Sequence, residues 1–347
     1  MAKKAEKFPR NICVDLTYRC PARCGFCFLR KSGQLNGGGR ELSAARLENI
    51  FDALPPRRNF YLTGGEPFAR KDTAEIVRMI KSRGHYAMLT TNGLLLSARD
   101  LAALFSAELD ALVVSLHGGR ERHDAVLGVP GAFDKVRKLA SVFEKMRGRI
   151  PTRLELWCTI NPDNYKNLSE TAREMAALRP DAVNFNHLEF ILQEDWDKTS
   201  VLLGRAGLAS AANSPGRISP PEIDPAILYK ETEKIRRMGI PGLRFSPDLT
   251  KAEMSRWYSG KSGLKRTGRC LGQWDSAWLS PSGEFYSCQP LAVRLGRATD
   301  SEPWTPFGGE KCASLRKLLT KSGGFLPACY RCGRATHSGR RASKKPA

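Results

Sequence analysis

From position 11 to about position 238 the chain alternates short apolar runs with longer stretches in which apolar residues recur every three or four positions. The runs over 12–16, 60–63, 86–90, 112–116, 154–160 and 182–185 read as strands. Helical periodicity follows each of them, over 43–53, 73–82, 97–105, 133–146, 168–177 and 225–237. Repeated strand–helix units imply an α/β fold with a parallel sheet and crossover helices. The strands are almost continuously apolar, as expected where both faces of a sheet are covered. An open doubly wound sheet and a partial barrel both satisfy this pattern.

Two segments interrupt it. The stretch 32–40, with Gly37, Gly38 and Gly39, reads as a flexible loop. The stretch 198–221 is rich in Gly, Ser and Pro and reads as a lid or a disordered connection. After about 265 the periodicity gives way to a small, loop-rich, cysteine-bearing segment. The pattern divides the chain into a barrel or sheet domain over 1–240, a linker and cysteine-rich domain over 241–337, and a basic tail over 338–347 expected to be disordered.

Composition narrows the function classes. The 347 residues are 41% hydrophobic and 26% charged, enough for a sizeable core. No apolar run approaches the roughly 20 residues of a membrane span, and no apolar core follows the basic residues 1–10 to make a signal peptide. A cytoplasmic protein is expected. The net charge of +21 favours anionic partners such as nucleic acid, phosphorylated small molecules, acidic peptides or a membrane surface. Lys and Arg are spread along the chain outside the tail, so a generally basic surface accounts for the charge as well. Ten cysteines in a chain of this size point to metal or redox chemistry rather than disulfides. They gather at the two ends, with Cys158 between them.

Cys20, Cys24 and Cys27 follow the first strand as Cys-x3-Cys-x2-Cys. Three thiolates at this spacing can wrap one face of a small cluster and leave one metal without a protein ligand. A structural zinc site generally takes four ligands, and no fourth lies nearby in sequence. Iron–sulfur clusters are held by cysteine thiolates, so a set of three suggests an open iron.

The run Cys20-Pro21-Ala22-Arg23-Cys24-Gly25-Phe26-Cys27, with an aromatic residue before the third cysteine, resembles the signature of the radical S-adenosylmethionine (SAM) superfamily. Three further motifs resemble that family at successive strand ends: Thr63-Gly64-Gly65-Glu66-Pro67, Thr91-Asn92-Gly93 and Ser115-Leu116-His117-Gly118. Asn161 after the fifth strand is a weaker match, and no sixth-strand motif is recognisable near Asn184. The resemblance implies a partial (β/α)6 TIM-like barrel holding a 4Fe–4S cluster on Cys20, Cys24 and Cys27. It implies SAM held by Phe26, Gly64, Gly65, Glu66, Pro67, Asn92, Ser115 and Asn161, with Glu66 on the SAM amino group. Reductive cleavage of SAM to a 5′-deoxyadenosyl radical follows, with flavodoxin or ferredoxin as electron donor. Glycine lets backbone approach a ligand, and a carboxylate accepts from an ammonium.

In the last third, Cys270 and Cys288 flank a hairpin whose turn is Pro281-Ser282-Gly283, and Cys329-x2-Cys332 follows a short helix over 313–319. Four thiolates so spaced suit zinc or a 4Fe–4S cluster equally. The segment resembles the SPASM domain and its shorter form, Twitch, which are appended to radical SAM enzymes. That resemblance implies a second, auxiliary cluster on Cys270, Cys288, Cys329 and Cys332. Cys312 could replace one of them, but beside a helix start it reads as a bystander.

Other candidates are weaker. Cys158 at the end of the fifth strand is a candidate hydrogen-atom donor, against a reading as a buried small hydrophobe. Asp195 and Asp197, with His187, Glu189 and Trp196, follow the sixth strand and are candidates for substrate contact or general base. His117 either supports ligand-contacting residues from behind or is merely packed, and Cys13 is expected in the core. The expected function is hydrogen abstraction from a small metabolite, a phosphorylated one being compatible with the charge, with an oxidation such as dehydrogenation or a cross-link as the natural outcome and an epimerisation, rearrangement or decarboxylation left open. The first strand begins by Asn11, which leaves no leader-binding domain upstream, so modification of a ribosomally made peptide is the second reading. RNA modification and a non-catalytic, metal-stabilised nucleic-acid binder rank below it.

Overall fold

The computed structural model describes residues 7–35, 39–211 and 220–333. The tail over 338–347, Gly37 and Gly38, and positions 212–219 of the Gly/Ser/Pro-rich connection lie outside the described residues. Six strands fall where the apolar runs predict: β1 (Asn11–Thr17), β2 (Asn59–Gly64), β3 (Tyr86–Thr91), β4 (Ala111–Ser115), β5 (Arg153–Thr159) and β6 (Ala182–Asn186). Four more follow: β7 (Leu243–Ser246), β8 (Ser276–Leu279), β9 (Glu284–Tyr286) and β10 (Arg294–Arg297). They form one sheet in the order β10-β9-β8-β1-β2-β3-β4-β5-β6-β7. Every neighbour pair from β8 through β1 to β7 is parallel. The β8–β9 and β9–β10 pairs are antiparallel.

The outer face of the sheet carries the main core. Ile12, Leu62, Leu89, Leu112, Leu156 and Val183 pack in one cluster with helix residues such as Leu47, Ile76, Leu101 and Val136. Each fully buried side chain of this kind contributes about 1.5–3 kcal/mol of hydrophobic stabilisation. The helices start where local chemistry directs. Helix Ala44–Asp52 is capped by the Ser43 hydroxyl, and helix Ala98–Ser106 by a reciprocal Ser97–Asp100 box.

The inner face is curled into a partial barrel. Tyr61 on β2 stacks on Trp157 on β5, ring centroids 6.1 Å apart. In a flat sheet, positions three strands apart would be separated by about 14 Å. Side chains of alternate parity on β1, β2, β3, β5, β6 and β8 therefore converge on one interior. Cys13 is among them: it lines the cavity and is only half-buried, while Ile12 and Val14 are buried in the main core cluster, so the expectation of a core cysteine gives way.

Several elements escape the apolar periodicity, helix Arg120–Leu127 among them. Helix Gln193–Arg205 occupies the start of the stretch read as a loose connection, and β7 and helix Lys251–Tyr258 lie after position 240. β7 has one buried residue in four, too weak a pattern to register as a strand, yet it pairs with β6. The cysteine-bearing segment joins the same sheet, since β8 pairs with β1 from Asn11↔Ser276 to Val14↔Leu279. The edge of β1 that a partial barrel leaves open is thereby paired. Trp304 seals the junction: its indole donates to the Ile50 carbonyl at 2.9 Å and its ring lies 5.0 Å from that of Phe285.

Candidate active site

The loop carrying Cys20, Cys24 and Cys27 leaves β1 at the C-terminal end of the parallel strands, where such sheets place their sites. Ala22, Leu94, Val126, Leu127 and Ala132 pack beneath it, with Cys20, Cys24 and Phe26 against them. The Arg23 amide donates to the Leu127 carbonyl at 2.7 Å, and the Arg30 guanidinium to the Ala22 carbonyl at 2.6 Å. Burial pushes the Cys20 thiol up to about 11 and the Cys24 thiol up to about 12, and the neighbouring cysteines add to the rise. Protein alone thus favours thiols, and a metal group that stabilises thiolates is what this set suits.

Next to it the two glycines of β2 meet the end of β1. A Cβ at Gly64 would strike the Thr17 carbonyl oxygen, and one at Gly65 the Arg19 carbonyl oxygen. The Gly65 and Glu66 amides instead donate to those same oxygens at 2.7 and 2.8 Å. Gly64 and Gly65 line the cavity with Phe26, Asn92 and Ser115. Asn92 Nδ2 donates to Cys20 Sγ at 3.6 Å.

Glu66 is placed differently from the expectation that it grips a ligand. It is fully buried, off the cavity wall. Its Oε1 accepts from Thr91 Oγ1 at 2.7 Å and the Phe68 amide at 3.2 Å, and its Oε2 accepts from the Asn92 amide at 2.8 Å. Burial pushes its carboxyl up to about 7 against the pull of those donors. Glu66 ties the ends of β2 and β3 together and sets Asn92 in place. Pro67 opens a short 3-10 turn behind it, and Asn161 is buried with its amide on the Thr159 carbonyl at 3.0 Å. Neither lines the cavity.

The three residues expected to act on substrate lie elsewhere. On β5 the inward side chains are Trp157 and Thr159, which line the cavity, while Cys158 takes the opposite face and is fully buried. Asn164 Nδ2 donates to its Sγ at 3.4 Å. Asp195 is buried in helix Gln193–Arg205, where it accepts from the Gly263 amide at 2.8 Å and pairs with Arg331 at 3.7 Å. Asp197, two residues on, is on the helix's exposed side and accepts from Gln193 Nε2 at 2.6 Å. His187 and Glu189 do line the cavity. His187 Nδ1 is hydrogen-bonded to the Tyr258 hydroxyl at 2.9 Å, and burial holds its imidazole down to about 3, a neutral ring. His117 also lines the cavity, 5.0 Å edge-on to Phe26.

The second cysteine set opens on the same space. Cys270, Cys288, Cys329 and Cys332 all line the cavity of about 1010 Å³ that holds Cys20, Cys24 and Cys27. All seven are free thiols. The Cys270 amide donates to the Gly324 carbonyl at 3.1 Å, which draws the hairpin start to the chain before Cys329. Burial pushes the Cys288 and Cys329 thiols up to about 12. Cys312 is buried in helix Glu310–Lys321, away from the wall. Among the described residues no group of three or more His, Cys, Asp or Glu is gathered closely enough for a single metal ion.

Sequence reasoning missed the barrel interior itself. Tyr61, Trp157, Asn184, Arg244 and Trp278 line the cavity, and their only signal was the parity of strand positions. Glu189 is the acidic and Arg244 the basic side chain among the described residues on that wall. Arg244 is paired with Glu155. The net positive charge is therefore not concentrated where substrate would sit.

Residues 14–152 match the model of the radical SAM superfamily, so the chain carries a radical SAM domain and is an enzyme of radical chemistry whose cofactors are a 4Fe–4S cluster and SAM. More particularly, its relatives include enzymes of the SPASM type. The chain is 29% identical over 304 residues to the PqqA peptide cyclase of Rhodopseudomonas palustris, covering 84% of this chain and 71% of that one. It is 33% identical over 175 residues to the PqqA peptide cyclase of Ruegeria pomeroyi, covering 49% of this chain and 46% of that one. The fold matches the crystal structure of Streptococcus suis SuiB bound to precursor peptide SuiA, with a TM-score of 0.64 and 14% identity over 96% of this chain and 72% of that one.

These relatives overturn the expectation of a small, phosphorylated metabolite as substrate: they are named for a peptide, and among the described residues the cavity wall carries no basic cluster to hold a phosphate. Among the described residues no helix is long and apolar enough to cross a membrane.

Proposed function

We propose that this chain modifies a ribosomally made peptide by radical chemistry. In this reading Cys20, Cys24 and Cys27 hold the cluster that engages SAM, and Cys270, Cys288, Cys329 and Cys332 hold a second, auxiliary cluster. The observation that carries the reading is that both cysteine sets, far apart in sequence, line one cavity of about 1010 Å³. That volume is at the upper end of ordinary small-molecule sites, which leaves space for part of a peptide beside SAM. The likeness to PqqA peptide cyclases supports a peptide as the occupant.

When bound, the first cluster and SAM supply a 5′-deoxyadenosyl radical that takes a hydrogen atom from the substrate. The chain's own residues do the positioning. Gly64 and Gly65 keep the cavity wall low beside the cysteine loop, and Asn92, set by Glu66, presents its amide next to Cys20. Phe26, Tyr61 and Trp157 give the wall an aromatic lining that excludes water from a reactive intermediate. Cysteines on the same wall as the substrate suit an electron acceptor, which favours a net oxidation such as a cross-link. Flavodoxin or ferredoxin is the proposed electron donor.

The test is anaerobic reconstitution of the wild type and a Cys20/Cys24/Cys27→Ala variant, followed by incubation with SAM, reductant and short peptides encoded beside the gene. Two four-iron clusters predict about eight irons in the wild type and about four in the variant. Formation of 5′-deoxyadenosine with a mass change in one peptide, in the wild type alone, is the expected outcome. Absence of iron from both proteins would sink the cluster assignment, and turnover with no modified peptide would sink the substrate assignment.

A further inference from the structure

Two charged side chains of opposite sign flank the second cysteine set. Arg266, half-buried after helix Lys251–Tyr258, donates from Nη1 to the Cys332 carbonyl at 2.5 Å and the Cys329 carbonyl at 3.4 Å. Its guanidinium lies over the ring of Phe325, 5.4 Å from the centroid. Glu189, on the cavity wall, accepts from the amide of Gly333, the residue after Cys332, at 2.8 Å. Arg331, also in this region, is differently engaged: it is buried, donates to the carbonyls of Trp257, Ser259 and Lys261, and pairs with Asp195.

A site built of four thiolates becomes more negative when it takes up an electron. A nearby cation therefore stabilises the reduced form and a nearby anion the oxidised form, and partial burial limits screening by water. We propose that Arg266 and Glu189 set the reduction potential of the group held by Cys270, Cys288, Cys329 and Cys332, with Arg266 raising it and Glu189 lowering it. The proposal rests on the reading that these four cysteines hold an iron–sulfur cluster. It makes both residues positioning groups for an electron and not catalytic residues.

The experiment is an EPR-monitored redox titration of reconstituted wild type, Arg266→Met, Arg266→Lys and Glu189→Gln, with iron measured for each. In Arg266→Met the reduced fraction of the second cluster at a fixed potential should fall about tenfold, which is about 59 mV for a one-electron couple. Glu189→Gln should move the midpoint upward, and Arg266→Lys should stay near the wild type. The cluster on Cys20, Cys24 and Cys27 serves as an internal reference and should not move. Unchanged midpoints in both Arg266→Met and Glu189→Gln with iron retained, or shifts of the same sign, overturn the proposal. If Arg266→Met fails to hold iron, the sign of the Glu189→Gln shift decides alone. A wild type with iron at the first site only overturns the auxiliary-cluster reading itself, and the iron count tells that failure from failure of the charge pair.

Discussion

Replacing Glu66 by Gln tests the balance on which the candidate SAM-binding wall depends. Three donors face the carboxyl, from Thr91, Phe68 and Asn92, and they favour the anion. Burial opposes them and prevails, leaving the carboxyl at about 7 against an ordinary 4.5. A folded-state pKa above the unfolded one means that the folded protein takes up the proton more readily. The stabilisation from this group is therefore complete below about pH 4.5 and is lost as pH rises through about 7. A difference of this size is worth at most about 3 kcal/mol. Gln cannot ionise, so the variant keeps the shape and loses the pH dependence. Urea unfolding of metal-free, reduced wild type and Glu66→Gln, followed by circular dichroism from pH 5 to pH 8, measures the difference. The wild type should lose about 1–3 kcal/mol relative to the variant over that range. A relative stability that is flat with pH would mean that the three donors hold the carboxylate ionised throughout, and would refute the argument that burial wins.

Two further substitutions probe how the site is built. Gly65→Ala places a methyl group against the Arg19 carbonyl; backbone there has no flexible end to yield, so a loss of about 1–3 kcal/mol is expected. Because Arg19 immediately precedes Cys20, iron bound at the first cysteine set after reconstitution should fall more than iron at the second. Asp195→Ala leaves the buried Arg331 without its carboxylate partner, at an expected cost of about 3 kcal/mol in chemical denaturation; a loss under about 1 kcal/mol would show that the three carbonyls on Arg331 suffice.

What could be read from the chain alone was local. The apolar runs placed six strands, and helix Thr73–Ser82 and helix Leu168–Ala177 lie where their periodicity predicts, because strand and helix periods and caps act within a few residues. The cysteine spacings and the Gly64-Gly65 pair were legible for the same reason. Parity along a strand was legible too, but not which parity faced inward. That depends on how the sheet curls and which face the helices cover, and it put Trp157 in the cavity and Cys158 outside it, with Cys13 inside. Acidic residues after β6 looked alike in sequence; helical geometry buried Asp195 against Arg331, exposed Asp197, and left Glu189 on the wall.

The sequence by itself determined the strand–helix order, the three-cysteine loop after the first strand and the family that this loop resembles. Tertiary structure alone decided that β8 closes on β1, and hence that cysteines some 250 positions apart share one cavity. The physical reason is one of range. Strand and helix propensities and cysteine spacings act between near neighbours, whereas the meeting of two distant loops follows from sheet pairing and burial summed over the whole chain.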